Sequence, residues 1–164
     1  MLQSDVGHRQ NAGVVDDRGD RLVDLVAEGV DCVIRSGMPE NSSLSAKPLA
    51  LIPEVTCASP AYLQRFGRPQ HPDALTEHLA VGFFASHQDR RYPFEFLVDG
   101  ALRRVELASR IDVNHADSYL ACALRGCGLI QLPRYRVERQ LASGELVEVL
   151  AAYPSPGLPV HALY

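Results

Sequence analysis

The 164-residue chain carries 16 Lys+Arg against 20 Asp+Glu, a formal net charge of −4, and 46% of its residues are hydrophobic. That apolar share suits one substantial core or two small lobes and excludes a disordered polymer. Lys47 is the single lysine, and an acidic balance lacks the basic footprint needed to neutralise a phosphate backbone, so this chain is not expected to contact DNA or RNA.

The amino terminus, "MLQSDVGHRQNAG", has no cationic start followed by an apolar run, and no later stretch reaches membrane-spanning length. A cytoplasmic chain without membrane contact is expected. The four cysteines, Cys32, Cys57, Cys122 and Cys127, lie in apolar segments rather than in a loop-rich framework and read as reduced, buried thiols.

In chain order, "NAGVVDDRGDRLVDLVAEGVDCVIRSG" reads as strand, helix, strand. Val14 and Val15 end a short apolar run, Asp20 caps the helix, Leu22, Val23 and Val26 form its apolar face, and Gly29 stops it. "DCVIR" follows as a buried strand, and the short intervening helix implies a parallel pair with a right-handed crossover. An extended run from about Leu49 to Cys57 is interrupted by Pro53, which has no donor for a ladder and so predicts an edge or connecting strand. Ser59 and Pro60 then mark a helix start, with Tyr62, Leu63 and Phe66 as its apolar surface and Gly67 at its end.

"RPQHPDALTEH" is a proline-marked loop with a helical turn, and "LAVGFF" a compact buried strand. "FEFLVDGALRRVELASRIDVN" reads as a hairpin about the Asp99-Gly100 turn. A helix follows, with Ala116, Tyr119, Leu120, Ala123, Leu124 and Cys127 on one stripe and Asn114 as its cap. "GLIQLP" is another short strand, "RYRVERQLASG" a final helix, "ELVEVL" a strand, "PSPG" a linker and "LPVHALY" a terminal strand. Alternating strands and helices with one antiparallel hairpin give an α/β architecture. Chain crossings between lobes are expected at Pro53 and at "YPSPG".

Four of these segments, "LVDLVAEGVDCVIRSGMPENSSLSAKPLA", "ASPAYLQRFGRPQHPDAL", "VNHADSYLACALRGCGLIQLPRY" and "LASGELVEVL…LPVHALY", resemble in order and spacing the effector-binding (substrate-binding) domain of LysR-type transcriptional regulators. The resemblance runs from about Asp20 to Tyr164. It implies two Rossmann-like lobes of the type 2 periplasmic-binding-protein kind, joined by two crossing segments, with a small effector in the cleft between them. Carried onto this chain, residues 1–56 and the return strand 154–164 form a first lobe and residues 57–153 a second. The resemblance also implies a homodimer or higher oligomer in a full-length parent and a sensor without enzymatic activity or cofactor; the effector is expected to be a small molecule, a carboxylate or aromatic acid, whose identity the sequence does not name. The family's winged helix-turn-helix has no counterpart in these residues, and the first lobe is expected to be incomplete at both ends.

The best candidate site is the turn at Asn114, His115 and Ala116. A helix terminus offers free backbone N–H groups that attract a carboxylate, and in the resembling family this segment faces the cleft. The alternative is that Asn114 satisfies those donors itself. Other candidates come from strand ends, where ligands gather in open α/β sheets: Arg35 and Ser36, Ala58 and Ser59, Phe84, and Gln131. Arg35 suits an acidic effector or a salt bridge with Asp31 or Glu40; Ser59 also reads as a plain helix cap, Gln131 as a satisfied strand polar group and Phe84 as core. Cys122 and Cys127 do not match zinc-ligand spacing, no metal site is read, and a redox role for the pair is the lesser reading. An enzyme or a transporter-associated solute-binding protein on the same scaffold stands as the alternative function.

Overall fold

The computed structural model describes residues 14–16, 32–37, 45–84 and 90–164. The helix expected over residues 20–29 lies outside them. Its flanking strands are present: β1 (Val14–Asp16) and β2 (Cys32–Ser36) pair in parallel, as a crossover connection requires. With β3 (Ala46–Ile52) and the terminal strand β11 (Leu158–Leu163) they form a four-stranded sheet in the order β1-β2-β11-β3. Val33 and Leu163 are buried, whereas β3, at the edge, leaves Leu49 and Leu51 exposed.

Pro53 separates β3 from β4 (Glu54–Ala58), and the two strands belong to different sheets. The expected single run is therefore two strands, and only its first half is an edge. β4 is the central strand of a second sheet, between β10 (Val147–Glu148) and β9 (Ile130–Pro133), and is antiparallel to both. A donor-less proline is tolerated because it stands between the ladders rather than in either.

Helix α1 (Pro60–Phe66) starts as its sequence dictates, with Ser59 Oγ accepting the Tyr62 N–H and Pro60 in the first turn. A 3₁₀ turn (Pro72–Glu77) leads into β5 (Leu79–Phe83). Beyond it, β6 (Phe94–Val98) and β7 (Ala101–Val105) form the Asp99-Gly100 hairpin, whose turn residues have φ of 50° and 77°, the pair of positive values a type I′ turn needs. The hairpin ends at Val105. The residues after it form a separate strand, β8 (Ala108–Val113), parallel to β5, because the chain turns at Glu106 and Leu107 instead of extending the ladder.

Helix α2 (Ala116–Leu124) follows β8 and packs on β5, β8 and β9. β9 is tied to β5 by a parallel bridge between Ala80 and Leu129. Gly128 permits that approach, since a Cβ there would lie 2.5 Å from the Ala80 carbonyl carbon. The last helical segment is broken at Val137 into a 3₁₀ turn (Arg134–Arg136) and α3 (Glu138–Ser143), and only Val147–Glu148 of "ELVEVL" pair as a strand. Leu146, Val149 and Leu150 are instead buried side chains of an irregular segment, with Leu150 at a φ of 57°.

The sheet of β4 has apolar matter on both faces. Val55, Cys57, Val81, Tyr119, Ala123 and Ile130 cluster beneath α2. Ala58, Tyr62, Leu75, Phe96, Leu129 and Val149 form a second cluster. Complete burial of an aromatic such as Phe96 contributes about 1.5–3 kcal/mol, so the two clusters anchor residues 54–153 firmly.

Candidate functional site

β5 and β8 are parallel, β9 runs parallel to β5, and β4 is antiparallel to β9. The carboxyl ends of β5, β8 and β9 and the amino end of β4 therefore share one edge. The chain leaves that edge through Pro53 and returns through residues 154–157. On the other side, Leu158 at the start of β11 pairs with Ile52 at the end of β3, and the Gly37 N–H beyond β2 donates to the Pro159 carbonyl at 2.8 Å. The carboxyl end of β2 thus meets the same seam.

Of the expected site residues, Arg35, Ser36, Phe84, Asn114, His115 and Ala116 stand at or just beyond strand ends along this seam, whereas Gln131 lies inside β9, opposite Thr56. Arg35 is partly buried, opposite His161 of β11, and has no ion pair among the described residues; Asp31 and Glu40, its expected partners, lie outside those residues. His161 Nδ1 is 3.1 Å from the Gly37 carbonyl. Phe84 is half-buried, its N–H donating to the Val113 carbonyl at 3.1 Å, while neighbouring Phe83 is the ring that reaches the core, 5.0 Å from Tyr119.

Ala58 and Ser59 are not brought to the seam. β4 is antiparallel to β9, so its carboxyl end lies at the far end of the sheet, where Ser59 caps α1 and sits next to Gly126, beyond the end of α2. The strand-end rule needs parallel strands, and here it points the wrong way.

The cap of α2 is His115, not Asn114. His115 Nδ1 accepts the Asp117 N–H at 3.3 Å, and the His115 carbonyl accepts the Tyr119 N–H at 3.0 Å. Asn114 is exposed. Among the described residues the N–H groups of Ala116 and Ser118 have no partner, which leaves donors facing the seam.

Gln131 is fully committed within the protein. Its Oε1 accepts the Glu95 N–H at 2.8 Å, and its Nε2 donates to Thr56 Oγ1 at 3.0 Å and to the Glu95 carbonyl at 2.9 Å. Its own N–H donates to the Tyr119 hydroxyl at 3.1 Å. Burial raises the Tyr119 hydroxyl far above its ordinary value, so it stays a neutral phenol. Residues 56, 95, 119 and 131 therefore form a rigid floor. Glu54 completes it at the crossing: its Oε2 accepts the Ser155 hydroxyl at 2.7 Å, and burial, with Glu95 adding to it, lifts the carboxyl above its usual range despite that bond.

Thr56, Glu95, Tyr119, Glu54 and Ser155 are not among the residues the sequence pattern marks as a site. The available signal is Glu54 and Thr56, two polar residues spaced by two in an otherwise apolar run, pointing to one face of a strand.

The thiols are free. Burial pushes Cys57 up to about 12 and raises Cys122 as well, with Cys127 adding to the latter, opposite to the shift that activates a nucleophilic or redox-active cysteine. Among the described residues no cluster of three or more His, Cys, Asp or Glu is placed to hold a metal ion, and no helix is long and apolar enough to cross a membrane.

The sequence profile of the LysR substrate binding domain matches residues 14–164. The chain is 38% identical over 145 residues to the uncharacterised HTH-type transcriptional regulator YhjC of Escherichia coli K12, across 88% of this chain and 48% of that protein. It is 32% identical over 142 residues to the HTH-type transcriptional activator AaeR of the same strain, across 86% of this chain and 45% of that protein. In structure it is similar to the regulatory domain of CrgA, a LysR-type regulator from Neisseria meningitidis, with a TM-score of 0.66 and 26% identity, across 85% of this chain and 67% of that one. It shares its fold with full-length AphB, the Vibrio cholerae virulence activator, with a TM-score of 0.71 and 22% identity, across 88% of this chain and 48% of that one. The chain spans about half the length of the curated relatives it matches.

Proposed function

The chain belongs to the LysR substrate-binding domain family, and on that premise we propose that it is an effector sensor, binding a small carboxylate or aromatic acid at the seam without chemistry of its own. The seam separates a first lobe, built on the sheet of β1, β2, β3 and β11, from a second lobe that begins with β4 after the crossing at Pro53 and ends before the second crossing at residues 154–157. One observation carries the reading: ends of seven strands (β2, β3, β4, β5, β8, β9 and β11), two chain crossings and the amino terminus of α2 meet along a single line. There the Ala116 and Ser118 N–H groups take the anionic end of the effector, Arg35 and Ser36 approach from the first lobe, and Asn114, His115 and Phe84 flank it. Gln131 holds the floor. The effector shifts the balance between lobe arrangements by binding one better than the other. In a longer parent protein, oligomeric and cytoplasmic, that shift reaches DNA through segments beyond these residues.

A thermal-shift screen of small carboxylates and aromatic acids tests the proposal. A ligand at about a hundred times its dissociation constant adds roughly 2.7 kcal/mol of stability. Ala116→Pro removes one donor at the first helical position, where proline fits, and His115 before it already has φ −128° and ψ 133°, the extended conformation a following proline demands. The variant is expected to fold and to lose most of the ligand-induced shift. A full shift in Ala116→Pro at equal stability would remove the helix terminus from the site.

A further inference from the structure

Outside the seam, β5 carries a second concave surface. A pocket of about 250 Å³ opens between β5, residues 90–94 and the turn at Glu106-Leu107. Its lining runs along β5 from Leu107, which precedes the partner of Leu79 at the amino end of the strand, to Gly82, opposite Asp112 and one residue short of the carboxyl end that borders the seam.

The wall chemistry is selective. Leu107, Phe94 and Val81 supply an apolar surface, and Arg90 and Arg91 line the opening. Arg90 is committed, donating to Glu106 Oε1 at 3.2 Å. Arg91 is held more loosely: it forms an ion pair with Asp112 at 3.7 Å, both side chains half-exposed, and among the described residues its guanidinium donates no hydrogen bond. The site is built around this arginine. β5 has Gly82 where Arg91 and Asp112 meet, and a Cβ there would overlap the Asp112 carboxylate and lie 2.6 Å from Arg91 Cδ. A glycine inside a strand is costly, and here its absence of side chain is what lets a cationic side chain lie across the sheet.

We propose that this pocket is a second ligand site, separate from the seam, for a small monocarboxylate with a compact apolar body. The carboxylate takes the unspent donors of Arg91 in the fork geometry a guanidinium offers. The body lies against Leu107 and Phe94. Glu106 at the rim excludes doubly charged acids by like-charge repulsion. The site bears on the seam through one strand, since the Tyr92 N–H donates to the Phe83 carbonyl at 2.8 Å and the two rings stack at 6.2 Å.

The test is an amide chemical-shift titration of the full chain with sodium 3-phenylpropionate at millimolar concentrations. Saturable shifts at both Gly82 and Leu107 report this pocket, Leu107 being at the end of β5 away from the seam, and shifts at Asp117 without Leu107 report the seam, so the two proposals succeed or fail separately. Arg91→Gln is expected to weaken binding read at Gly82 and Leu107 by about tenfold or more, the effect of one lost charge-assisted bond. Glu106→Gln, at a residue with a side chain 75% exposed and safe to change, is expected to tighten it by about two- to threefold through removal of a repelling charge. Absence of saturable shifts at Gly82 and Leu107 in the unsubstituted chain overturns the proposal. So does either variant binding as the unsubstituted chain does.

Discussion

His115 holds the first turn of α2 through an imidazole nitrogen, and that makes a sharp prediction about its neighbour. His115→Ala should cost roughly 0.5–1 kcal/mol in chemical denaturation as a lost cap, whereas Asn114→Ala should change stability by only a few tenths. Asn is the commoner cap, which is why sequence pattern favours position 114; the ring at 115 wins because its backbone is already extended. Gln131 is a harder case for any reading of sequence, since Glu95 and Thr56 come from 36 and 75 residues away. Gln131→Leu keeps the volume but strands the Glu95 amide and carbonyl, and about 2 kcal/mol of stability should go with it. His78 offers a pH readout. The Tyr62 hydroxyl accepts the Leu79 N–H at 2.9 Å and is hydrogen-bonded to His78 Nδ1, 3.0 Å away, the donor in that pair being set by the imidazole tautomer. Burial lowers the His78 pKa, against a smaller opposing pull from Glu77. Between that lowered value and the ordinary value near ~6.5 the unfolded chain binds the extra proton, so stability should fall as pH falls through that window and level off below it. His78→Asn, which keeps an acceptor but cannot titrate, should flatten the difference in urea unfolding curves between neutral and mildly acid pH.

Elements with local signals are the legible ones. Ser59-Pro60, Asp99-Gly100 and the apolar stripe of α2 each specify their structure within a few residues, and each is found where its pattern puts it. Gly100 at φ 77° is the clearest: Gly100→Ala should cost about 1 kcal/mol in a denaturant titration, the strain of a left-handed residue with a Cβ, while Asp99→Asn, equally at home in that turn, should cost almost nothing. Elements whose limits depend on partners are not legible. Nothing in "ALIPEVTCA" says that the residues on either side of Pro53 join different sheets, or that β4 runs against β9. The misplacement of Ala58 and Ser59 at the seam follows directly from that second gap. β10 is short for a similar reason: Leu146, Val149 and Leu150 are drawn into the two apolar clusters, and side-chain burial takes precedence over a longer ladder.

At the scale of the molecule, the two sheets communicate through very little chain, and Glu54 stands where they do. It opens β4 immediately after the first crossing, and its carboxylate accepts the hydroxyl of Ser155 in the second; Ser155 Oγ in turn accepts the Gly157 N–H at 3.1 Å. This polar clasp binds one crossing to the other, and it is set in surroundings that disfavour charge. Desolvation raises the Glu54 pKa, the Ser155 bond opposes the rise, and Glu95 reinforces it. With the folded pKa above the unfolded one, the folded chain binds more protons between the two values, so stability falls as pH rises through that interval and the penalty then stays constant. Glu54→Gln removes the charge and keeps an amide oxygen to accept from Ser155. It should therefore be more stable than the unsubstituted chain at neutral pH, with the advantage vanishing in acid where Glu54 is already protonated. Paired urea denaturation curves at neutral and acid pH measure this, and an advantage that persists unchanged into acid would show that the charge is not its source. A charge kept at the crossing at a cost to stability also predicts a functional difference. If the clasp sets how readily the lobes change arrangement, the more stable Glu54→Gln chain should show a smaller response to a seam ligand, in the lobe motion read by hydrogen exchange at residues 154–157, even where the ligand binds as tightly.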